Sequence, residues 1–313
     1  MIKSFFKLIR WLNLLIILMS MFFLLFFIIR PVLGTINAAV GLSSFQFGLL
    51  IIATLFIAIG GYIINDIKDQ EADTINKPGK NTVGSVFSIK QASVLYMVFT
   101  LIGMLAGSYL SFALHQGQYS LVFIFTAGLL WYYAARYQCQ ALVGNAVVGF
   151  LSALSFGLVW LFEIFGMQHH LETLSIHQNG LSLTNHLVFI YMGFAFMVSL
   201  LREIVKDIED VDGDERSGCL TFAVVYGIPK AKTFAVVVNL LGMAASIWFQ
   251  WFFQEKGIML LFWFFFLIDA LFIYILVDLI KAHSKSDFGH LSLWIKVLML
   301  AGILSMALFY FNI

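Results

Sequence analysis

The stretch FQFGLLIIATLFIAIGGYIINDIKDQEAD, residues 45–73, decides the fold class. It begins with an apolar run of roughly 20 residues, the length at which an α-helix crosses the hydrocarbon layer of a membrane. Four carboxylates then follow, on Asp66, Asp69, Glu71 and Asp73. A soluble helix instead spreads its polar residues along one face. The stretch therefore predicts a membrane span with a polar site at its end.

The composition of the whole chain agrees with a membrane protein. Of 313 residues, 61% are hydrophobic and 11% are charged, whereas soluble domains carry about 25% charged residues. The formal charge is +1, which leaves no basic excess for binding a nucleic-acid backbone. The two cysteines, Cys139 and Cys219, are too few for a disulfide framework. We expect both to be reduced structural residues on the cytoplasmic side.

Nine apolar runs predict an all-α integral membrane protein with nine transmembrane helices in a single domain, residues 1–313. Their approximate limits are 11–29, 45–64, 92–114, 119–135, 142–166, 186–201, 234–253, 258–280 and 291–312. With a cytoplasmic N-terminus and an extracytoplasmic C-terminus, all Lys and Arg residues except Arg30 and Lys256 fall on the cytoplasmic side. Because basic residues accumulate in cytoplasmic loops, this distribution supports the count and the orientation. The first run is too long for the apolar region of a cleavable signal peptide.

The acidic residues are concentrated in two segments that share one spacing. Eleven of the 17 carboxylates lie in 66–73 and 203–215. Motif 1, Asp66-x-x-Asp69-x-x-x-Asp73, is repeated as motif 2, Asp207-x-x-Asp210-x-x-x-Asp214. On a helix the three acids fall at about 0°, 300° and 340°, so they share one face and repel one another. A cation is needed to offset that repulsion, and carboxylate oxygens suit Mg²⁺.

Two acidic segments at the membrane boundary fit a diphosphate substrate. Mg²⁺ usually takes only one or two carboxylates beside the phosphates of its substrate. It neutralises a diphosphate and makes it a better leaving group, so that an allylic carbon–oxygen bond can ionise. A solvated interfacial loop would explain either segment alone. It does not explain the same offsets twice, each directly after an apolar run.

The two motifs resemble those of the UbiA-type intramembrane prenyltransferases. Residues 65–73 fit the N-D-x-x-D-x-x-x-D motif of that family, and residues 76–80 continue it as N-x-P-x-K, where the family usually ends in Arg. Residues 202–214 fit the second motif with its basic and acidic lead-in. Three smaller elements also match in part: Arg10-x-x-Asn13 with Trp11 in place of proline, Gly144-Asn145, and Tyr132-x-x-x-Arg136, where the family has Tyr-x-x-x-Lys.

The resemblance implies a fold, a cofactor and a site. It implies nine transmembrane helices around a central cavity in the cell (inner) membrane, with both motifs at the cytoplasmic side. Catalytic and Mg²⁺-binding roles are implied for Asp66, Asp69, Asp73, Asp207, Asp210 and Asp214. Substrate-binding roles are implied for Asn65, Arg10, Asn13, Lys77, Lys80, Tyr132, Arg136 and Lys206. Glu203 is expected to orient Arg202 or Lys206, or to bind the metal indirectly.

The implied reaction transfers a polyprenyl group from its diphosphate to a lipophilic acceptor at the lipid membrane. Residues 202–210 and Asn76-Lys77-Pro78 look most like the branch of the family that makes geranylgeranylglyceryl phosphate ethers. A phosphate on the acceptor would also give the basic residues beside the motifs a role. The alternatives are an aromatic acceptor (4-hydroxybenzoate or dihydroxynaphthoate) in quinone biosynthesis, a cation-coupled transporter and a non-catalytic scaffold. The oligomeric state stays open.

A few other polar residues have simple interpretations. Tyr62 and Tyr132 either present a π-face to an allylic cation or anchor the chain at the membrane interface. Asp269, near the middle of the eighth run, is expected to have a polar partner inside the protein. The spacing of His169, His170, His177 and Glu172 matches no standard metal site, so we interpret 167–185 as a solvated loop.

Overall fold

The structure, a computed structural model, describes residues 2–76, 81–168 and 178–311. The α-helices in chain order are α1 Ile2–Leu8, α2 Trp11–Thr35, α3 Ser44–Lys68, α4 Gln70–Asn76, α5 Ile89–Ala113, α6 Ser120–Ala135, α7 Val143–Met167, α8 Gln178–Glu209, α9 Val211–Arg216, α10 Phe222–Tyr226, α11 Ile228–Glu255, α12 Met259–Lys281 and α13 Lys285–Tyr310. Helix α2 contains a π-helical stretch, Leu24–Ile29. A 3₁₀ turn, Tyr137–Cys139, follows α6.

Each of the nine predicted runs lies largely within one helix, and eight of these nine helices are long. Within the described ranges, eight helices are long and apolar enough to cross a membrane, as expected for an integral membrane protein. The exception is α6, which has 16 residues. At 1.5 Å per residue it is about 24 Å long, shorter than the roughly 30 Å of hydrocarbon. The ninth span and the orientation of the termini therefore stay predictions.

The chain folds as two compact units, each built from several segments. The first unit comprises Met1–Leu18, Leu42–Gly144 and Asp212–Leu220. The second comprises Met19–Gly41, Asn145–Val211 and Thr221–Ile313. Motif 1 belongs to the first unit, whereas the acids of motif 2 are divided between the two. The single domain that we expect from the sequence stays a prediction.

In the first unit, α3 packs closely against α5 through small residues. A Cβ atom on Gly103 of α5 would come within 2.9 Å of Ile57 Cγ1 and 3.0 Å of the Ala53 carbonyl oxygen on α3. Only glycine allows this approach, as is common between membrane helices. Near the end of α3, Leu8 of α1 and Ile63 belong to one buried apolar cluster. This cluster helps to hold the N-terminal segment beside motif 1.

In the second unit, α8 packs against α11 and α13, and α12 packs against both of those helices. The Tyr191 hydroxyl of α8 hydrogen-bonds the Ser305 hydroxyl of α13 at 3.0 Å. On α11, Gln250 Nε2 donates to Asp269 Oδ2 at 2.8 Å. The predicted polar partner for this intramembrane acid is thus confirmed.

Helix α13 begins at a capping box that precedes the apolar run predicted at 291–312. Ser284 accepts a hydrogen bond from the Asp287 N–H, and the Asp287 carboxylate accepts from the N–H groups of His283 (2.9 Å) and Ser284 (2.8 Å). These reciprocal bonds satisfy donors that a helix start leaves open. The two backbone N–H donors hold the pKa of the Asp287 carboxyl below its usual value.

Candidate active site

Motif 1 lies where the third helix ends. Asp66 is in the last turn of α3, Asp69 is the residue at which that helix stops, and Asp73 is in the short helix α4. The backbone continues through the break with helical hydrogen bonds, from Asp69 N–H to Asn65 O (2.9 Å) and from Asp73 N–H to Asp69 O (2.8 Å). The spacing predicted from the sequence is therefore close to helical in the structure, with an interruption at the middle acid.

Arg10 neutralises the first acid of motif 1. Its Nη2 donates to Asp66 Oδ1 at 2.8 Å, and its guanidinium lies 5.1 Å from the centre of the Tyr62 ring. Burial alone would lower the pKa of Arg10, but the Asp66 carboxylate outweighs it and the pKa is raised. The residue has a φ of +51° at the junction of α1 and α2, a conformation that is unfavourable for arginine. The Tyr62 ring thus faces a cation from the protein.

Asp69 is held by two amide side chains. Asn65 Nδ2 donates to Asp69 Oδ2, and Gln138 Nε2 donates to Asp69 Oδ1 at 2.8 Å. Asn65 lies one helical turn before Asp69 and was predicted from the sequence as part of the site. Gln138 was missed, because nothing in the local sequence relates a residue of the 3₁₀ turn after α6 to an acid 69 positions earlier.

The two cysteines are paired in the structure, so the prediction that they are reduced is wrong for this state. Cys139 and Cys219 form a disulfide with their Cα atoms 4.4 Å apart, within the range that this bond requires. They are 80 residues apart in sequence. Only the fold brings the turn after α6 beside the segment that follows Arg216.

Motif 2 has the same arrangement as motif 1. Asp207 is in the last turn of α8, Asp210 lies at the break, and Asp214 is in the short helix α9. The Asp210 N–H donates to the Lys206 carbonyl oxygen at 2.9 Å. Asn145 Nδ2, at the beginning of α7, donates to Asp207 Oδ2 at 2.8 Å. The Gly144-Asn145 element thus contributes a direct contact to the second motif.

The charged lead-in to motif 2 forms its own ion pair. Arg202 Nη1 donates to the Glu203 carboxylate, and Glu203 is 8% exposed. A buried carboxylate needs such a partner because desolvation strongly disfavours its charge. The expectation that Glu203 pairs with a neighbouring base is confirmed for Arg202.

The remaining predicted residues lie at different places. Tyr132 and Arg136 are exposed, 3.5 Å apart between the hydroxyl and Nη1. The Asn13 N–H donates to the Arg10 carbonyl oxygen at 2.8 Å in the first turn of α2. Two predicted residues, Lys77 and Lys80, lie outside the described residues, as does the part of the predicted loop at 169–177. The solvated loop predicted at 167–185 is wrong for its last eight residues, because α8 begins at Gln178. The individual roles of all these residues stay predictions.

The donors around the motifs fit Mg²⁺ in composition. Carboxylates and neutral amides supply hard oxygen atoms, which Mg²⁺ prefers. In the part of the chain that the structure describes, no group of three acidic, histidine or cysteine side chains is arranged to hold a metal ion alone.

The chain is similar to known proteins over most of its length. The sequence profile of the UbiA prenyltransferase family matches residues 24–297. A digeranylgeranylglyceryl phosphate synthase of Methanosphaera stadtmanae is 29% identical over 257 residues, which are 81% of this chain and 84% of that protein.

Two solved structures share the fold. One, from a study of digeranylgeranylglyceryl phosphate synthase in membranes, has a TM-score of 0.63 and 22% identity and covers 100% of this chain and 99% of its own. The other, a UbiA homolog from Archaeoglobus fulgidus bound to DMAPP and Mg²⁺, has a TM-score of 0.57 and 14% identity, with coverages of 97% and 99%. From the profile match over most of its length, we conclude that the chain belongs to the UbiA prenyltransferase family.

Proposed function

We propose that this enzyme transfers a geranylgeranyl group from geranylgeranyl diphosphate to the free hydroxyl of geranylgeranylglyceryl phosphate, and that it requires Mg²⁺. The observation that carries the proposal is the repeated acidic motif, with the same helix break at its second acid in both copies. The choice of acceptor rests on relatives such as the Methanosphaera stadtmanae synthase, together with the branch resemblance of residues 202–210.

The motif carboxylates are the groups that would hold the metal: Asp66, Asp69, Asp73, Asp207, Asp210 and Asp214. When bound, Mg²⁺ would neutralise the diphosphate and help it to leave. A UbiA homolog of the same fold binds Mg²⁺ together with DMAPP, which supports this cofactor. The protein contributes orientation, since Asn65 and Gln138 hold Asp69, and Asn145 holds Asp207. Carboxylates fixed in this way are preorganised to hold the ion that would offset the negative charge developing on the diphosphate.

In the proposed reaction, the bond between C1 of the geranylgeranyl group and the diphosphate oxygen breaks, and both of its electrons leave with the diphosphate. The acceptor hydroxyl oxygen then forms a bond to C1 and releases its proton. Arg10 contacts Asp66 and Lys206 directly precedes Asp207, and we assign these two bases to the diphosphate or to the acceptor phosphate. Lys77, Lys80 and Arg136 are further candidates for this role.

We also infer that both motifs lie on the cytoplasmic side, with nine spans and the N-terminus inside. Four helices separate motif 1 from motif 2: α5, α6, α7 and α8. The motifs share one side only if an even number of these helices cross, so the short helix α6 must span the membrane. Single cysteines in place of Gln118 and His283, in a chain without Cys139 and Cys219, would test this. The cysteine at position 118 should react with an impermeant maleimide added outside cells. The cysteine at position 283 should react only after the cells are lysed.

The reaction itself is tested by diphosphate release from the purified protein with Mg²⁺ and geranylgeranyl diphosphate. Geranylgeranylglyceryl phosphate, 4-hydroxybenzoate and dihydroxynaphthoate are added in parallel. Release that depends on the glyceryl phosphate supports the proposal. Release that depends on an aromatic acceptor instead would reject our acceptor and keep the reaction class. If Mg²⁺-dependent binding of the diphosphate were absent, the metal assignment would also be wrong.

A further inference from the structure

The turn after α6, residues 136–140, contacts motif 1 and is held by local contacts. Two backbone hydrogen bonds lie inside it, from Cys139 N–H to Arg136 O (3.3 Å) and from Gln140 N–H to Tyr137 O (3.0 Å), and the Arg136 N–H donates to the Tyr132 carbonyl oxygen (2.9 Å) at the end of α6. The Tyr137 ring also packs against the Tyr132 ring, with the ring centres 4.6 Å apart. The contribution of the turn to the site is the bond from Gln138 Nε2 to Asp69 Oδ1 at 2.8 Å. The position of Gln138 therefore depends on what ties this turn to the rest of the first unit.

The strongest tie is covalent. The disulfide joins Cys139, the residue after Gln138, to Cys219. An isolated β-bridge between Gln140 and Leu220 lies directly beside it. The partner segment is in turn fixed to motif 2, because the Cys219 N–H donates to the Asp214 carbonyl oxygen at 2.8 Å. One bond thus links the residue that orients Asp69 to the segment that carries Asp214, all within the first unit.

We propose that the Cys139–Cys219 disulfide is a redox latch that fixes Gln138 as a positioning residue for Asp69. When the latch is closed, Gln138 is restrained and one Asp69 oxygen is held in place. When it is open, the turn keeps its hydrogen bonds and the Gln140–Leu220 bridge, but no covalent bond fixes the residue after Gln138, and the Gln138–Asp69 contact is less restrained. The enzyme then binds its metal and diphosphate less tightly. Cys139 and Cys219 are half-buried rather than fully buried, so a small dithiol can reach the disulfide.

The chemistry of the latch balances with a dithiol reductant. Attack by one thiolate of the reductant breaks the sulfur–sulfur bond and forms a mixed disulfide, and its second thiolate then displaces the other cysteine. Two electrons and two protons pass to Cys139 and Cys219, which become thiols, and the reductant becomes a disulfide. The cytoplasmic side, where we propose that the motifs lie, supplies such dithiols.

The test compares oxidised and reduced protein in detergent, with the full-length chain throughout. Thiols are counted by mass after maleimide labelling, and hydrogen exchange is measured in residues 136–140 and 212–220. The KM for geranylgeranyl diphosphate is measured by diphosphate release with geranylgeranylglyceryl phosphate. Reduction should expose two thiols, speed exchange in both segments and raise the KM about tenfold, the effect of one hydrogen bond to a charged group, with a smaller change in kcat.

Three variants separate the latch from a merely structural bond. Cys139→Ser with Cys219→Ser should behave like the reduced protein and should not respond to the reductant. Gln138→Ala should have the raised KM in both redox states, because the latch acts through that side chain. Gln118→Ala, an exposed glutamine on the loop before α6, should keep both the wild-type KM and its redox response.

The outcomes decide between the two proposals. Two free thiols in mildly oxidised protein would overturn the latch, and so would an unchanged KM after reduction even if exchange becomes faster. A Gln138→Ala protein whose KM still rises on reduction would overturn the role of Gln138. The KM readout rests on the proposed function. If no acceptor supports diphosphate release, that function fails, and the latch is then judged on whether reduction speeds exchange at 136–140 and weakens Mg²⁺ binding measured by calorimetry.

Discussion

The two acidic motifs have the same sequence offsets and the same helix break, but they are stabilised differently. In motif 1, the guanidinium of Arg10 contacts Asp66 directly, and two amides hold Asp69. In motif 2, the amide of Asn145 holds Asp207, while the guanidinium of Arg202 pairs with Glu203 outside the three motif acids. The repeat therefore preserves the carboxylates and the backbone break, and it varies the groups that orient them.

This difference has a chemical consequence. A cation in contact with a carboxylate competes with a metal for the same oxygen atoms, because both are attracted by its charge. An amide donor orients the carboxylate without cancelling its charge. In the proposed reaction, Arg10 would have to release Asp66 or share it with the metal and the diphosphate. Asn145 would be able to keep its bond to Asp207.

The largest expected effect is the loss of a motif acid. Asp66→Ala and Asp207→Ala should each reduce kcat/KM at least about 100-fold, as removal of one preorganised electrostatic group does in other enzymes. Diphosphate release measures the effect, and thermal unfolding should show a folded protein. The matched control is Asp212→Ala, an exposed acid between the acids of motif 2, which should keep its activity. A near-normal rate in either motif variant would refute the metal assignment and remove the basis of the comparison.

The next largest effect is expected from loss of the amide that holds Asp207 in motif 2. Asn145→Ala leaves a half-buried carboxylate without this donor, and hydrogen bonds to charged groups contribute about 1.5–3 kcal/mol. We expect kcat/KM to fall about tenfold or more, with a weaker apparent affinity for Mg²⁺. Asn145→Asp would place a second acid beside Asp207 and should be worse still. If Asn145→Ala retained full activity, the contact would be structural only and the two motifs would not be equivalent.

A smaller effect is expected from loss of Arg10, the cation that contacts motif 1. Arg10→Ala should raise the KM for the prenyl diphosphate about fivefold, because the pair with Asp66 is partly exposed and solvent screens it. In the absence of diphosphate, the same variant should bind Mg²⁺ more tightly, since Asp66 is no longer neutralised. Titration with Mg²⁺ alone measures the expected gain in metal affinity, and titration with the diphosphate then measures the expected loss of substrate affinity. Lys68→Ala, an exposed base near the end of α3, is the control and should change neither quantity.

The smallest effect concerns an acid outside both motifs. The pKa of Asp287 is lowered by backbone N–H donors, so in the folded protein it stays ionised at a pH where the unfolded chain is already protonated. Its contribution to stability is present above the unfolded pKa, near 3.9, and is lost as the pH falls through the lower folded value. The difference in Tm between wild type and Asp287→Ala should be constant from pH 7 to 5 and should shrink below about pH 4. Diphosphate release at pH 7 should not change, which separates a helix-capping acid from the motif acids.

Local patterns were sufficient to predict the helices and the position of the acidic motifs. The apolar run before Asp66 forms α3, and the acids begin where it ends. Asn65 was also predictable, because it matches the first residue of the family motif, and the structure places it one turn from Asp69. Three features were not predictable in this way: the Gln138–Asp69 bond, the Asn145–Asp207 bond and the Cys139–Cys219 disulfide. Each joins residues that are at least 62 positions apart.

The sequence by itself determined that this is a helical membrane protein with two acidic motifs of identical spacing at the ends of apolar helices. It did so because hydrophobicity, helical period and the cost of charge in lipid act along short stretches of chain. The tertiary structure decided which side chain orients each acid, and it alone brought the two cysteines together. Those contacts depend on how separate helices pack, and close packing selects partners by shape and distance rather than by position in the sequence.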